Sequence, residues 1–177
     1  KINHAPVIQS GYVLDSCTIR YYDEYECVGL VLKNMSEKMP YHVTSVNRRE
    51  IQNRGRLHNA RLVKIDFDSV ISRFEKTLDT KINYNEISPE IQNKAKILRQ
   101  CLSHYRNKDG KPLLHRGDDE ILAFTLMTKS TLITSDKGLI KCCKIVDCKY
   151  IDLHIEMQES RLVFALPYQF LKHSQKN

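Results

Sequence analysis

The stretch Gly117-Asp-Asp-Glu-Ile-Leu-Ala-Phe-Thr-Leu-Met-Thr-Lys-Ser-Thr-Leu-Ile-Thr-Ser-Asp-Lys-Gly138 decides the fold. Three acids in its first turn, followed by Ile121, Leu122, Phe124, Thr125 and Leu126, predict a helix. Thr131 to Thr134 is a short apolar run that reads as a buried strand, closed by Ser135-Asp136, and Lys137-Gly-Leu139 opens a second helix. The same cadence occurs upstream. Gly11-Tyr-Val-Leu-Asp15 is a strand ending on an acid, and Ile19, Tyr22, Val28, Leu30, Val31 and Met35 recur at helical spacing over residues 19–37, with Pro40 as a stop. Tyr41 to Val46 is strand-like and runs into Asn47-Arg-Arg-Glu50-Ile51, a helix.

Between these blocks, residues 61–67 alternate apolar and polar as a half-buried strand does, Val70, Ile71, Phe74 and Leu78 have helical spacing, and Ser88-Pro89-Glu90 starts a helix that Asn107-Lys-Asp-Gly110 breaks. Lys144 to Asp147, Tyr150 to Leu153 and Arg161 to Leu166 are candidate strands. Strands alternating with helices predict an α/β protein: a three-layer α/β/α sandwich, Rossmann-like, around a mainly parallel twisted sheet.

A chain of 177 residues is expected to form a single domain with a core that needs no metal or disulfide staple. It begins at Lys1 and reads as an excerpt or a trimmed product. No C-x-x-C occurs among Cys17, Cys27, Cys101, Cys142, Cys143 and Cys148, which favours reduced thiols and a cytoplasmic location. No window carries the roughly 18 apolar residues of a membrane span. The net charge of +7 favours a polyanionic partner.

In an open parallel sheet, reactive groups gather at the carboxyl ends of the strands. Asp15 and Asp136 sit at such ends, Glu50 lies just past a third strand, and Asp118 and Asp119 open the helix that precedes the Thr131 strand. Two unit charges 4 Å apart repel by about 4 kcal/mol at an effective dielectric near 20, so clustered carboxylates call for a cation. Oxygen-only ligands select Mg²⁺ or Mn²⁺.

Val13-Leu-Asp15-Ser-Cys-Thr-Ile19, Thr44-Ser-Val-Asn-Arg-Arg-Glu50, Asp119-Glu-Ile-Leu-Ala123 and Leu132-Ile-Thr134-Ser-Asp136-Lys137 resemble, in order, the four acidic blocks of the PIN-domain ribonucleases. The resemblance covers most of residues 11–150. It implies a PIN-like core over 11–151 with a charged insertion around 66–116 and a C-terminal extension over 152–177. It also implies a metal-dependent endoribonuclease with Asp15, Glu50, Asp119 and Asp136 as catalytic acids. Asp15, Glu50, Asp118, Asp119 and Asp136 become candidate ligands for Mg²⁺ or Mn²⁺, with Asp119 preferred over Asp118 because Ile121 and Ala123 then fall where the family has small apolar residues. Thr134 matches a hydroxyl that orients a carboxylate or phosphate. An inhibitor or other protein partner and a homodimer are left open, as is the alternative of an inactive PIN-like scaffold that binds RNA or protein.

Residues 48–64 hold six cations against Glu50, and residues 94–116 hold seven against Asp109. Positive walls around an acidic centre suit RNA, and Arg48, Arg49, Arg54, Arg56, Arg116 and Lys137 are the candidate contacts. Asp66 and Asp68 are expected on one solvent face of a strand. The histidines lack H-E-x-x-H spacing, and no G-x-S-x-G, Walker A or G-x-G-x-x-G motif occurs, which disfavours zinc hydrolase, serine hydrolase, P-loop and dinucleotide readings. A haloacid-dehalogenase-like phosphotransferase ranks last because Cys17 stands where it expects a second Asp.

Overall fold

Strands form where β-branched and aromatic residues run four or fewer at a time, and an acid ends three of them. The computed structural model describes residues 7–35, 37–54, 56–58 and 61–160, with the backbone alone for 54, 56–58 and 61–63. Strands β1 (Tyr12–Leu14), β2 (Tyr41–Thr44), β5 (Ile82–Asn85), β6 (Thr131–Thr134) and β7 (Tyr150–Asp152) make one sheet in the order β5-β2-β1-β6-β7. Every pairing in it is parallel, with Val13 opposite both His42 and Leu132. A separate antiparallel hairpin joins β3 (Arg56–His58) to β4 (Arg61–Val63). The chain works outward from β1 through β2 to β5, then returns to lay β6 on the other side of β1. The connection reverses direction between β1 and β6, which opens a crevice at their carboxyl ends.

Alternation along each strand divides the core in two. Tyr12, Leu14, Tyr41, Val43 and Ile133 face the helices α1 (Ser16–Glu24), α2 (Cys27–Lys33), α4 (Phe67–Leu78) and α8 (Leu153–Glu159). Val13 and Leu132 face α5 (Pro89–Leu102), α6 (Asp118–Met127) and α7 (Lys137–Ile145). Two such layers are what a parallel sheet, apolar on both faces, requires. α6 is buried over most of its circumference, with Ile121, Leu122, Ala123 and Phe124 fully enclosed. Helix α3 (Ser45–Arg54) follows β2 without a turn. Gly11 is required where β1 enters, since a Cβ there would collide with the Pro40 carbonyl.

Several expectations are corrected. The apolar spacing over 19–37 belongs to two helices, because Tyr25 takes an extended conformation and the chain turns before Cys27. Lys144 and Ile145 end α7, and Asp147 takes a left-handed conformation (φ 56°) that reverses the chain into β7. Asp66 caps α4 through the Asp68 amide, so the D-x-D lies at a helix start. The 66–116 stretch supplies α4, the edge strand β5 and α5. The candidate strand Arg161 to Leu166 lies outside the described residues, as does the part of the extension beyond 160. Among the described residues no helix is long and apolar enough to cross a membrane.

Candidate functional site

Asp15 ends β1 and caps α1 in the same residue. Its Oδ1 accepts the Ser16 amide at 2.8 Å, and its Oδ2 accepts Thr134 Oγ1 at 2.7 Å and the Cys17 thiol at 3.0 Å. The carboxyl is buried, and burial raises its pKa, an effect that these three donors oppose and the Asp136 charge reinforces. Asp136 holds the equivalent place after β6. It caps α7 through the Leu139 amide, and its own N–H donates to Thr134 Oγ1 at 3.0 Å. One hydroxyl therefore ties the two strand-end acids together across the crevice.

Glu50 projects from α3. Ser16 Oγ donates to its Oε1 at 3.0 Å while accepting from Asn47 Nδ2 at 3.0 Å. Asn47 is fully buried and also donates to the Leu14 carbonyl, while its Oδ1 accepts the Thr44 amide at 2.7 Å. This one side chain spans the ends of β1 and β2 and holds Ser16 toward Glu50. Neither Ser16 nor Asn47 stood out in the sequence as a site residue.

The structure divides the Asp118–Asp119 pair. Asp118 is buried, and its carboxyl is pushed up to about 8, first by burial and then by the charges of Asp15, Asp136 and Glu50. Asp119, preferred on sequence grounds, is taken up elsewhere: Oδ2 pairs with Arg99 Nε at 2.9 Å, and Oδ1 accepts the Gly117 amide at 3.0 Å. That amide belongs to a residue at φ +99°, a conformation suited to glycine, and the Glu50 carboxyl carbon lies 3.4 Å from where a Gly117 Cβ would stand. Successive helical residues point about 100° apart, so only one of two adjacent acids can face the basin. Spacing to Ala123 could not tell which.

Asp15, Glu50, Asp118 and Asp136 thus converge from four elements on the β1–β6 crevice. Among the described residues no three acidic, histidine or cysteine side chains stand close enough, as placed, to ring one metal ion. The donor set is nonetheless all oxygen and mutually repulsive, which suits a hard divalent cation. The Cys17 thiol, pushed up to about 12 by burial and then by the Asp15 charge, stays a hydrogen-bond donor to the acid.

The expected RNA contacts are in differing states. Arg48 makes a two-pronged ion pair with Asp68 at 2.9 and 3.2 Å and lies over the rings of Phe67 and Tyr84. Arg49 faces Glu120 at 3.8 Å. Arg116 and Lys137 are exposed, the first two residues before Asp118 and the second directly after Asp136. The side chains of Arg54 and Arg56 lie outside the described residues.

The chain is similar in structure to VapBC-1 from nontypeable Haemophilus influenzae, with 16% identity, a TM-score of 0.55, and coverage of 81% of this chain and 98% of that one. It is also similar to VapBC2 from Rickettsia felis bound to a DNA fragment from their promoter, at 16% identity and a TM-score of 0.50, over 80% and 97% of the two chains. These are toxin–antitoxin complexes whose VapC toxin is a PIN-domain protein. The fold is PIN-like. At this identity the likeness is one of fold. No family model matches the sequence. A search of curated proteins finds no match.

Proposed function

We propose that this chain is a metal-dependent endoribonuclease that hydrolyses RNA phosphodiester bonds in the acid basin. The observation that carries the reading is the convergence of Asp15, Glu50, Asp118 and Asp136 at the switch point of a PIN-like sheet. Asp15, Asp136 and Asp118 would hold Mg²⁺ or Mn²⁺, with Glu50 as a further ligand or water positioner. When bound, the ion supplies Lewis acidity toward the scissile phosphate and an acidified water. The protein's own part is orientation and charge. Thr134 and Ser16 fix the carboxylates, Asp119 and Arg99 hold the α6 start, and Arg116 and Lys137 line the rim where phosphates approach.

As part of the same reading the enzyme works in the reducing cytoplasm, in keeping with six free thiols. The structural neighbours are two-component complexes, and a protein partner that covers the basin is the matching proposal here. The test is cleavage of end-labelled single-stranded RNA in Mn²⁺, compared with EDTA and with Asp15→Asn, Asp118→Asn and Asp136→Asn. Cleavage that needs the ion and all three acids supports the enzyme. Metal-independent RNA binding with no cleavage would instead identify an inactive scaffold.

A further inference from the structure

The connection from α5 to α6, residues 103–117, is long for a compact domain, where loops of this length are usually functional. It is also braced from within. Arg106 and Pro112 form an antiparallel bridge, the Leu113 amide donates to the Tyr105 carbonyl at 3.1 Å, and Asn107 Oδ1 accepts the amides of Asp109 and Lys111, both at 2.9 Å. Gly110, at φ +77°, makes the tip, and Leu113 is the buried anchor. A backbone held this firmly displays its outward side chains in fixed places. Those side chains include Tyr105, 44% exposed, and the exposed Lys108, Lys111 and Arg116, against Asp109 as the one acid of the loop, while the exposed Arg106 donates back to the Gly110 carbonyl. None of the three cations makes an ion pair among the described residues.

The loop also borders the acid basin. A Cβ at Gly138 would stand 3.1 Å from the Leu113 carbonyl oxygen and 3.2 Å from Asp136 Oδ1, and Gly117 backs onto Glu50. The other basic cluster is differently disposed, since Arg48 is committed to Asp68 and two rings.

We infer that this braced loop is the surface along which a single RNA strand runs to or from the acid basin. Its phosphates lie against Lys108, Lys111 and Arg116, and one unpaired base stacks on Tyr105. The inference rests on the ribonuclease reading for the direction of the strand. An aromatic face next to cations favours an unpaired nucleotide, because a duplex hides its base faces.

The test uses the full chain in EDTA and a fluorescent oligouridine 12-mer, with affinity measured over a range of salt. Tyr105→Ala should weaken binding on the order of tenfold and Tyr105→Phe should not. Combining Lys108→Gln, Lys111→Gln and Arg116→Gln should lower the slope of log affinity against log salt by about 2. The charge-matched set Lys76→Gln, Lys144→Gln and Lys149→Gln should leave it unchanged. Unaltered melting temperatures guard against misfolding. The inference is overturned if Tyr105→Ala binds like the parent, if both triple variants lose slope equally, or if an RNA duplex competes as well as the single strand. Cleavage by the parent in Mn²⁺ is scored separately. Binding that follows the loop without cleavage defeats the nuclease reading and leaves the surface standing, whereas cleavage with loop-independent binding does the reverse.

Discussion

Asp118 and Asp119 are chemically alike and adjacent, yet one is held up to about 8 among three other acids and the other is neutralised by Arg99. Substituting them should therefore have different consequences. Asp118→Asn should lower Mn²⁺-dependent cleavage by more than the roughly 100-fold that marks the upper range for supporting groups. Asp119→Asn and Arg99→Gln should each cost roughly 10- to 100-fold, and the double variant should be little worse than either single one because they break the same contact. Cleavage assays on the four proteins decide the matter, and additive losses would argue against a shared role.

The raised carboxyls also make the metal-free protein pH-sensitive. Asp15 and Asp118 both have folded values above the ordinary carboxylate range, so the folded state keeps protons that the unfolded chain has released. The stabilising contribution of Asp118 is full below about pH 4 and is lost as the pH rises through about 8, at no more than about 1.4 kcal/mol per pH unit, and Asp15 acts in the same sense. His42, whose buried ring is shifted down, acts below pH 6.5 and in the opposite sense, since its protonation disfavours the fold. Urea unfolding in EDTA should give a lower stability at pH 8 than at pH 6.5, and Asp118→Asn should shrink the difference.

At the scale of elements, the hydrogen bonds of Asn47 join two neighbouring strand ends to the first turn of α1. Asn47→Ala would strand the Thr44 amide and the Leu14 carbonyl in a dry interior, at a cost of about 1–3 kcal/mol for each group left unpaired, and would release Ser16 from its hold on Glu50. Chemical denaturation should register the loss of stability, and cleavage should fall with it. The elements most legible in the sequence were those with strong local chemistry. β1, β2 and β6 are short apolar runs, the first and last ending on a capping acid, and α5 starts at Ser88, which accepts the Ile91 amide, with Pro89 in its first turn. β5 escaped notice because it is an edge strand with one fully buried residue, so Ile82-Asn-Tyr-Asn85 has no apolar run to read. Ile145 and Val146 looked like strand residues because β-branching is a weak local preference, and here the packing of α7 overrides it. Asn47 was invisible for another reason. Its role depends on contacts with Leu14 and Ser16, more than 30 positions away, which no local pattern encodes.

Over the whole molecule, the four acids lie at positions 15, 50, 118 and 136, so the basin exists only when the complete sheet has formed. A cation that binds it should stabilise the entire fold. At a hundredfold its dissociation constant, a ligand specific for the native state contributes about 2.7 kcal/mol, and for a domain of this size Mn²⁺ should raise the melting temperature by roughly 5–10 °C. Calorimetry at pH 8 should show that rise in the parent and not in Asp15→Asn or Asp118→Asn. The direct passage of β2 into α3 has a consequence of its own. With no linker to absorb slack, the rotational phase of the helix is geared to the pleat of the strand, and Glu50 faces inward only at the present count from Thr44. One added residue at that junction would swing it by about 100° and carry it toward a different neighbour, so this segment should tolerate changes of side chain far better than changes of length.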